Sequence, residues 1–554
     1  MATMLPEPSR LAAPSALALA ALALLLGSAP AWAQQGRGPA TSAAPGTAAA
    51  TVRELQLAPQ EAASEEELIR QQYRPWNLQL GLDATVTATS NSAYTSNMDG
   101  SSDTLLVLSP WVRVTGMGPR LRLNGEFQLD AVKYTRETQS DRVLPQGALN
   151  GNLMVVENWL GVDGALMAQQ TRSDPFFAQG EGPSTSGKYT TTHARLSPYL
   201  ERELNADWTA LARTEVSRTR FDADDDALAD RASAHGLHHQ VRLSRRPTPF
   251  GGLVEAHYEK SGYVGEPTSE LTQKRGRALL SYALHRQLVI SGIGGREATR
   301  TAFTDRTDSF GGGQVDWQPN VRTHLLATLE HHFFGPAWEL SLSHRGPTYA
   351  GLLSMQRELT TSANSLGILP FGASLKGLLG SIMTTRYPNE VERDGVVQDM
   401  LRERGLSGSE GLSQDLYALA VQVRQALSAR MALMGPRDTM VLFLDVIKYT
   451  PEAWANDPLV SLSIDANLQR IAELQYSHRM TRLTSLDAAL RWARTTTPGS
   501  DRSTTETSLR AGINSRLSPQ TTATLGLRHQ LLNVNTSSED PKETALYLGL
   551  GHRF

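Results

Sequence analysis

The sequence predicts an all-β fold: an antiparallel transmembrane β-barrel of the Gram-negative outer membrane, with an even number of strands, roughly 16 to 22, and one helical insertion. Three observations predict it. Segments along the chain alternate apolar and polar residues with a period of two. Short turns and long polar loops alternate between those segments. The chain closes on an amphipathic strand that stops at Phe554.

The elements follow in order. Residues 1–33 read as a cleaved secretory signal: Arg10 is a weak positive n-region, and Ala16 to Leu26 is an apolar run shorter than the ~20 residues of a helical span. Ala31-Trp32-Ala33 then offers small residues for cleavage before Gln34. Residues 34–75 read as a periplasmic leader, disordered to about Leu57, with a short acidic helix at Ala62 to Tyr73. From Trp76 to Phe554 the chain reads as barrel.

Composition narrows the function. Cysteine is absent, which removes a lipid anchor on a mature N-terminal cysteine, disulfides and thiolate metal sites. Net charge is −3 with signs interspersed, so no nucleic-acid partner is expected. Only 40% of residues are hydrophobic, low for a membrane protein. A barrel resolves the conflict, because only alternate residues of each strand meet lipid.

Three strands make the case. In residues 120 to 131, Leu121, Leu123, Phe127, Leu129 and Ala131 share one face, and Arg120, Arg122, Asn124, Glu126, Gln128 and Asp130 the other. Residues 505 to 517 set Leu509, Ala511, Ile513 and Leu517 against Glu506, Arg510, Asn514 and Arg516. Residues 522 to 531 set Ala523, Leu525, Leu527 and Leu531 against Thr522, Thr524, Arg528 and Gln530. A soluble sandwich also alternates, but it shares one core and has no use for so many long, closely spaced strands.

Short turns are expected near Gly116-Met117-Gly118, Leu204 to Asp207, Arg246 to Pro249, Pro319-Asn320-Val321, Ala426-Leu427-Ser428 and Ser518-Pro519-Gln520. Longer loops are expected at 91–102, 134–146, 171–188, 220–232, 449–465, 497–503 and 534–541. That is the rhythm of tight periplasmic turns and long outer loops, and it counts to about 22 strands. Residues 358–411 break the period. Leu375, Leu378, Leu379, Ile382 and Met383 fall at helical spacing, and Asn389 to Arg404 reads as a second helix. This insertion is expected as a lid or plug, or else as an external domain.

The terminal strand resembles the insertion signal read by the barrel-assembly machinery. Tyr547, Gly549, His552 and Phe554 take its aromatic, glycine and terminal positions, with His552 the one departure. The whole chain resembles the outer-membrane proteins associated with the PEP-CTERM/exosortase system. The resemblance rests on Arg172-Ser173-Asp174-Pro175-Phe176, on Ser354 to Ser362 continued through Tyr387 to Arg393 and Leu401 to Leu406, and on Ala432 to Leu442. It implies a genetic neighbourhood of exopolysaccharide genes and supplies no catalytic residues.

Arg120, Arg122, Glu126, Asp130, Glu506, Arg510, Arg516 and Arg528 are the candidate lumen-lining charges. They would either form rings selecting a polar solute or pair with one another in a wet interior. Tyr73, Trp76, Trp111, Trp208 and Tyr547 are expected in interfacial girdles. The acidic Phe221 to Asp226 lacks the turn glycine and distal glutamate of a calcium loop. His238-His239 and His331-His332 are neighbours on strands, so neither pair chelates from one face. There is no G-x-S-x-G elbow or H-E-x-x-H helix. The expected function is a passive aqueous conduit in polysaccharide export or surface assembly, without cofactor. The alternative is a non-conducting anchor, and a rim enzyme comes third. Expected partners are outer-membrane lipid and lipopolysaccharide, the assembly machinery, the polysaccharide and export-system proteins.

Overall fold

The structure is a computed structural model that describes residues 76–94, 101–172, 176, 188–222, 233–264, 270–301, 304–360, 373–384, 386–388, 390–403, 421–451, 466–535 and 540–554. The expected signal, the leader with Tyr73, and the acidic residues from Ala223 onward lie outside these.

Twenty-two strands, β1 (Trp76–Thr89) to β22 (Lys542–Arg553), form a single antiparallel sheet. Each pairs with its neighbours in sequence, and β1 pairs with β22 from Gly81↔Arg553 to Thr89↔Ala545. The sheet is therefore closed and has no free edge. Closure satisfies every strand's backbone groups inside the wall, which a spanning structure in lipid requires.

The period of two survives folding. On β3 (Leu121–Tyr134), Leu121 and Leu129 face outward and exposed, while Glu126, Gln128 and Asp130 face the lumen. On β20 (Ser503–Arg516), Leu509 and Ile513 are outside and Glu506 inside. Around the barrel, an outward belt of exposed leucines and valines surrounds a polar interior: this is the transmembrane barrel of the outer membrane. Strands ~4.8 Å apart and tilted ~40° give a backbone diameter of roughly 40 Å, too wide for wall side chains to fill.

Aromatic rings fill the gaps that glycines leave. Trp111, on β2 (Asp103–Met117), lies directly across from Gly81 and covers it, and Tyr547 does the same for Gly526 on β21 (Thr521–Val534). A Cβ at either glycine would collide with the ring. Trp111 and Tyr547 thus face the lumen, not the expected girdle. Trp76 does take its expected place in the girdle, beside other residues. Trp76, Trp159, Phe250, Tyr282, Trp317 and Phe554 are exposed on the outer surface near the short-turn end.

Two strand boundaries also differ from expectation. Ala426-Leu427-Ser428 is not a turn but the middle of β16 (Gln422–Met434); the turn is at Gly435 to Arg437, before β17 (Asp438–Pro451). Beyond β15 (Tyr349–Thr360) the insertion occupies residues 361–421, a frame shifted from 358–411.

Candidate functional site

The insertion leaves β15 and re-enters β16 at the long-loop end, and carries α1 (Ala373–Met383) and α2 (Glu390–Glu403). Neither helix is long and apolar enough to cross a membrane. Their position follows from their contacts. Leu375, Leu378, Leu379 and Ile382 of α1 are buried against Ala350, Ala432, Val441 and Phe443. Those four residues lie toward the short-turn ends of β15, β16 and β17 and face inward. The two helices therefore lie in the periplasmic third of the lumen. The two described helices thus pack against the inward face of the wall.

The helices reach a second wall. α2 packs on α1 through Val397 and Met400, and its main strand contacts are with β2 and β20. At the far end Asp399 meets the lumen-facing Arg113 of β2, Nη1 to Oδ1 3.0 Å. Arg113 is otherwise locked into the wall: its Nε donates to Glu126 at 2.8 Å and its Nη1 to Gln79 at 3.4 Å. Two helices of ~10–12 Å diameter placed side by side span about half of a lumen this wide. The arc from β3 to β14 (Gly335–Arg345) carries none of their main contacts.

The short link between the helices is held by Arg393, whose Nη1 donates to the carbonyls of Tyr387 at 3.1 Å and Pro388 at 3.2 Å. A second inward contact lies at the mouth. The carbonyl of Phe176 accepts from Thr504 Oγ1 on β20 at 3.2 Å, and Arg502 stacks 4.0 Å above its ring. The loop after β5 (Leu160–Arg172) thus reaches the β20 rim.

Many of the lumen charges pair. Of the sequence candidates, Glu126 binds Arg113, Glu506 faces Arg491 at 3.8 Å, and Arg528 binds Glu543 at 2.8 Å. Asp130 accepts from Ser109, Gln128 and Gln146, each at 2.6 Å. Arg122, Arg510 and Arg516 lie on the inward face. Arg120 does not line the lumen: it is exposed in the turn before β3, because the strand begins one residue later.

A larger chain of pairs went unread in the sequence. It crosses β9 (Phe250–Tyr263) to β13 (Thr323–His332) in the order His257, Glu255, Arg277, Glu330, His332, Glu297. Arg277 Nη1 lies 3.0 Å from Glu330, and His332 lies 2.9 Å from Glu330 and 2.8 Å from Glu297. They come from four separate strands, so no local motif announces them. His332 and His238 point inward, while His331 and His239 occupy the outward positions. Elsewhere Arg213–Asp163 and Arg430–Asp445, each at 2.7 Å, complete the same pattern.

His552 and Phe554 of the terminal strand face outward, their rings in T-shaped contact at 5.0 Å. The Phe554 amide closes the seam on Leu80 O at 2.9 Å. Tyr547 and Gly549 occupy inward positions on the same strand.

No family model matches the chain, and no curated protein matches it. Solved structures similar to it are outer-membrane barrels. The siderophore receptor PirA from Acinetobacter baumannii is 7% identical with a TM-score of 0.43, over 86% of this chain and 80% of that one. The FrpB iron transporter from Neisseria meningitidis is 8% identical with a TM-score of 0.43, over 86% and 82%. The outer membrane protein opdK from Pseudomonas aeruginosa is 8% identical with a TM-score of 0.34, over 86% and 99%.

Proposed function

We propose that this barrel is an aqueous conduit for a neutral, hydroxyl-rich polymer, acting in the export or surface assembly of an extracellular polysaccharide and gated by the insertion. The observation that carries the gate is the docking of α1 on one wall and of Asp399 on another, inside the lumen. The pairing of lumen charges supports a neutral cargo: adjacent opposite charges cancel at a distance, so the wall offers hydrogen bonds without a strong field. The sequence resemblance supports the polysaccharide.

The test is the fate of the polymer when the gene is deleted, measured as extracellular, cell-bound and periplasmic polysaccharide against a complemented strain. Build-up inside the envelope is expected. Normal secretion with polymer shed into the medium would make the barrel an anchor instead. Unchanged pools would end the polysaccharide reading.

A further inference from the structure

The outward surface is asymmetric from one rim to the other. At the periplasmic rim it carries the aromatic girdle. At the outer rim it carries cations: Lys133, Arg218, Lys274 and Arg296 on β3, β7 (Trp208–Asp222), β10 (Leu271–His285) and β11 (Leu288–Arg300), and a tight group on β17 to β19. That group is Lys448 on β17, Arg470 on β18 (Asn467–Arg479) and Arg494 on β19 (Thr484–Thr496).

Its register is unusual. Arg470 and Arg494 are direct cross-strand partners, and Lys448 lies diagonal to Arg470, opposite Leu468. Like charges directly opposite one another destabilise a sheet. Among the described residues nothing relieves them. Among the described residues, Arg470, Arg494 and Lys448 make no hydrogen bond or ion pair. The one carboxylate on the outward face of these strands is Asp438, at the other rim, where it binds Tyr476 and His478. Other outer-rim cations do have acids. Arg220 binds Asp222 at 2.9 Å, Arg300 binds Asp305 at 2.6 Å and Lys260 binds Glu270 at 3.3 Å. Toward the membrane centre the group continues into Trp492, Leu490 and Leu474, a surface made for acyl chains. Cations over an apolar band at the outer-leaflet level match a lipid with an anionic head.

We infer that Lys448, Arg470 and Arg494 form a binding site for the phosphate of an outer-leaflet glycolipid, a phosphorylated headgroup of the lipid A kind. Two facing guanidinium groups supply paired N–H donors in the geometry a phosphate accepts, and the anion removes their repulsion. The site lies on the lipid side of the wall and stands whether or not the barrel conducts.

The test uses the detergent-purified full chain and native mass spectrometry. The probes are bisphosphorylated lipid A, the same lipid stripped of phosphate, and inorganic phosphate. Wild type is expected to retain the phosphorylated lipid at least about tenfold better than the stripped one. R470Q/R494Q is expected to lose that preference, and R470K/R494K to keep part of it, since it holds the charge without the paired donors. Heat-modifiable gel mobility reports folding of each variant; if the double variant does not assemble, R494Q and K448Q read the same preference singly. Equal retention of both lipids by wild type, or an unchanged preference in the folded glutamine variants, overturns the site. Displacement of the lipid by millimolar inorganic phosphate overturns its assignment to a lipid.

Discussion

Replacing Leu375 and Leu379 together by alanine should open the barrel. Both side chains are fully buried between α1 and the inward faces of β15 to β17. Full burial of such a side chain contributes ~1.5–3 kcal/mol, so the α1 face contributes ~6–12 kcal/mol before the cost of ordering the insertion. Leu→Ala costs ~2–5 kcal/mol in a rigid core. Because α1 can settle into the space, we take the low end, ~4 kcal/mol for the pair. That is about a thousandfold in the docking equilibrium. A gate docked by up to ~4 kcal/mol would then stand open at least half the time. The assay is single-channel current in planar bilayers, against wild type and a deletion of residues 361–421. The deletion sets the fully open level; the double variant should visit it often and wild type rarely. Leu490→Ala, on the lipid face, should leave the current unchanged. If the deletion carries no more current than wild type, the helices do not obstruct the lumen and the gate is refuted.

Asp399→Asn should weaken only the far contact of the plug, raising brief openings severalfold without the long ones, because the carboxylate is half-exposed and the pair is worth about 1 kcal/mol. Bilayer recording with dwell-time analysis distinguishes the two patterns. Arg277→Met strands Glu255 and Glu330 in a closely packed wall and should lower stability by ~3–5 kcal/mol, read as a lower midpoint in denaturant unfolding from detergent. Tyr547→Ala uncovers Gly526 and should cost ~2–4 kcal/mol in the same assay, whereas Gly526→Val should block assembly, since its side chain would need the space of the Tyr547 ring.

The parts of the fold legible in sequence are those where lipid lies on one side and a wet lumen on the other. β3 and β20 meet that condition, and their leucines and charges alternate accordingly. β16 does not. Its outward face carries Val423, Leu427 and Leu433, and its inward Ala426, Ala432 and Met434 are apolar too, the last two against the plug, so the period is blurred. The false turn at Ala426 to Ser428 arose there. The same loss of period occurs at the docking surface of the helices, where Ala350, Leu352, Val441 and Phe443 face inward and are apolar. Arg113, which ties wall to plug, has no such mark, and only the register across β1 to β3 places it beside Gln79 and Glu126. Aromatics favour interfaces, which points Trp111 and Tyr547 toward lipid, but the glycines opposite them need cover, and no single strand reveals its partner.

The insertion joins the wall at two neighbouring points, Thr360 and Gln422, which lie directly opposite each other across β15 and β16. The proposed gate, fastened in this way, cannot diffuse off. Undocked, its helices stay at an effective concentration in the millimolar range before their own site. Closure is then a first-order event that needs no second protein and does not slow as barrels become scarce in the membrane. In the proposed conduit, a cargo that opens the passage has to keep occupying it, because once the last segment clears, the flap falls back unaided.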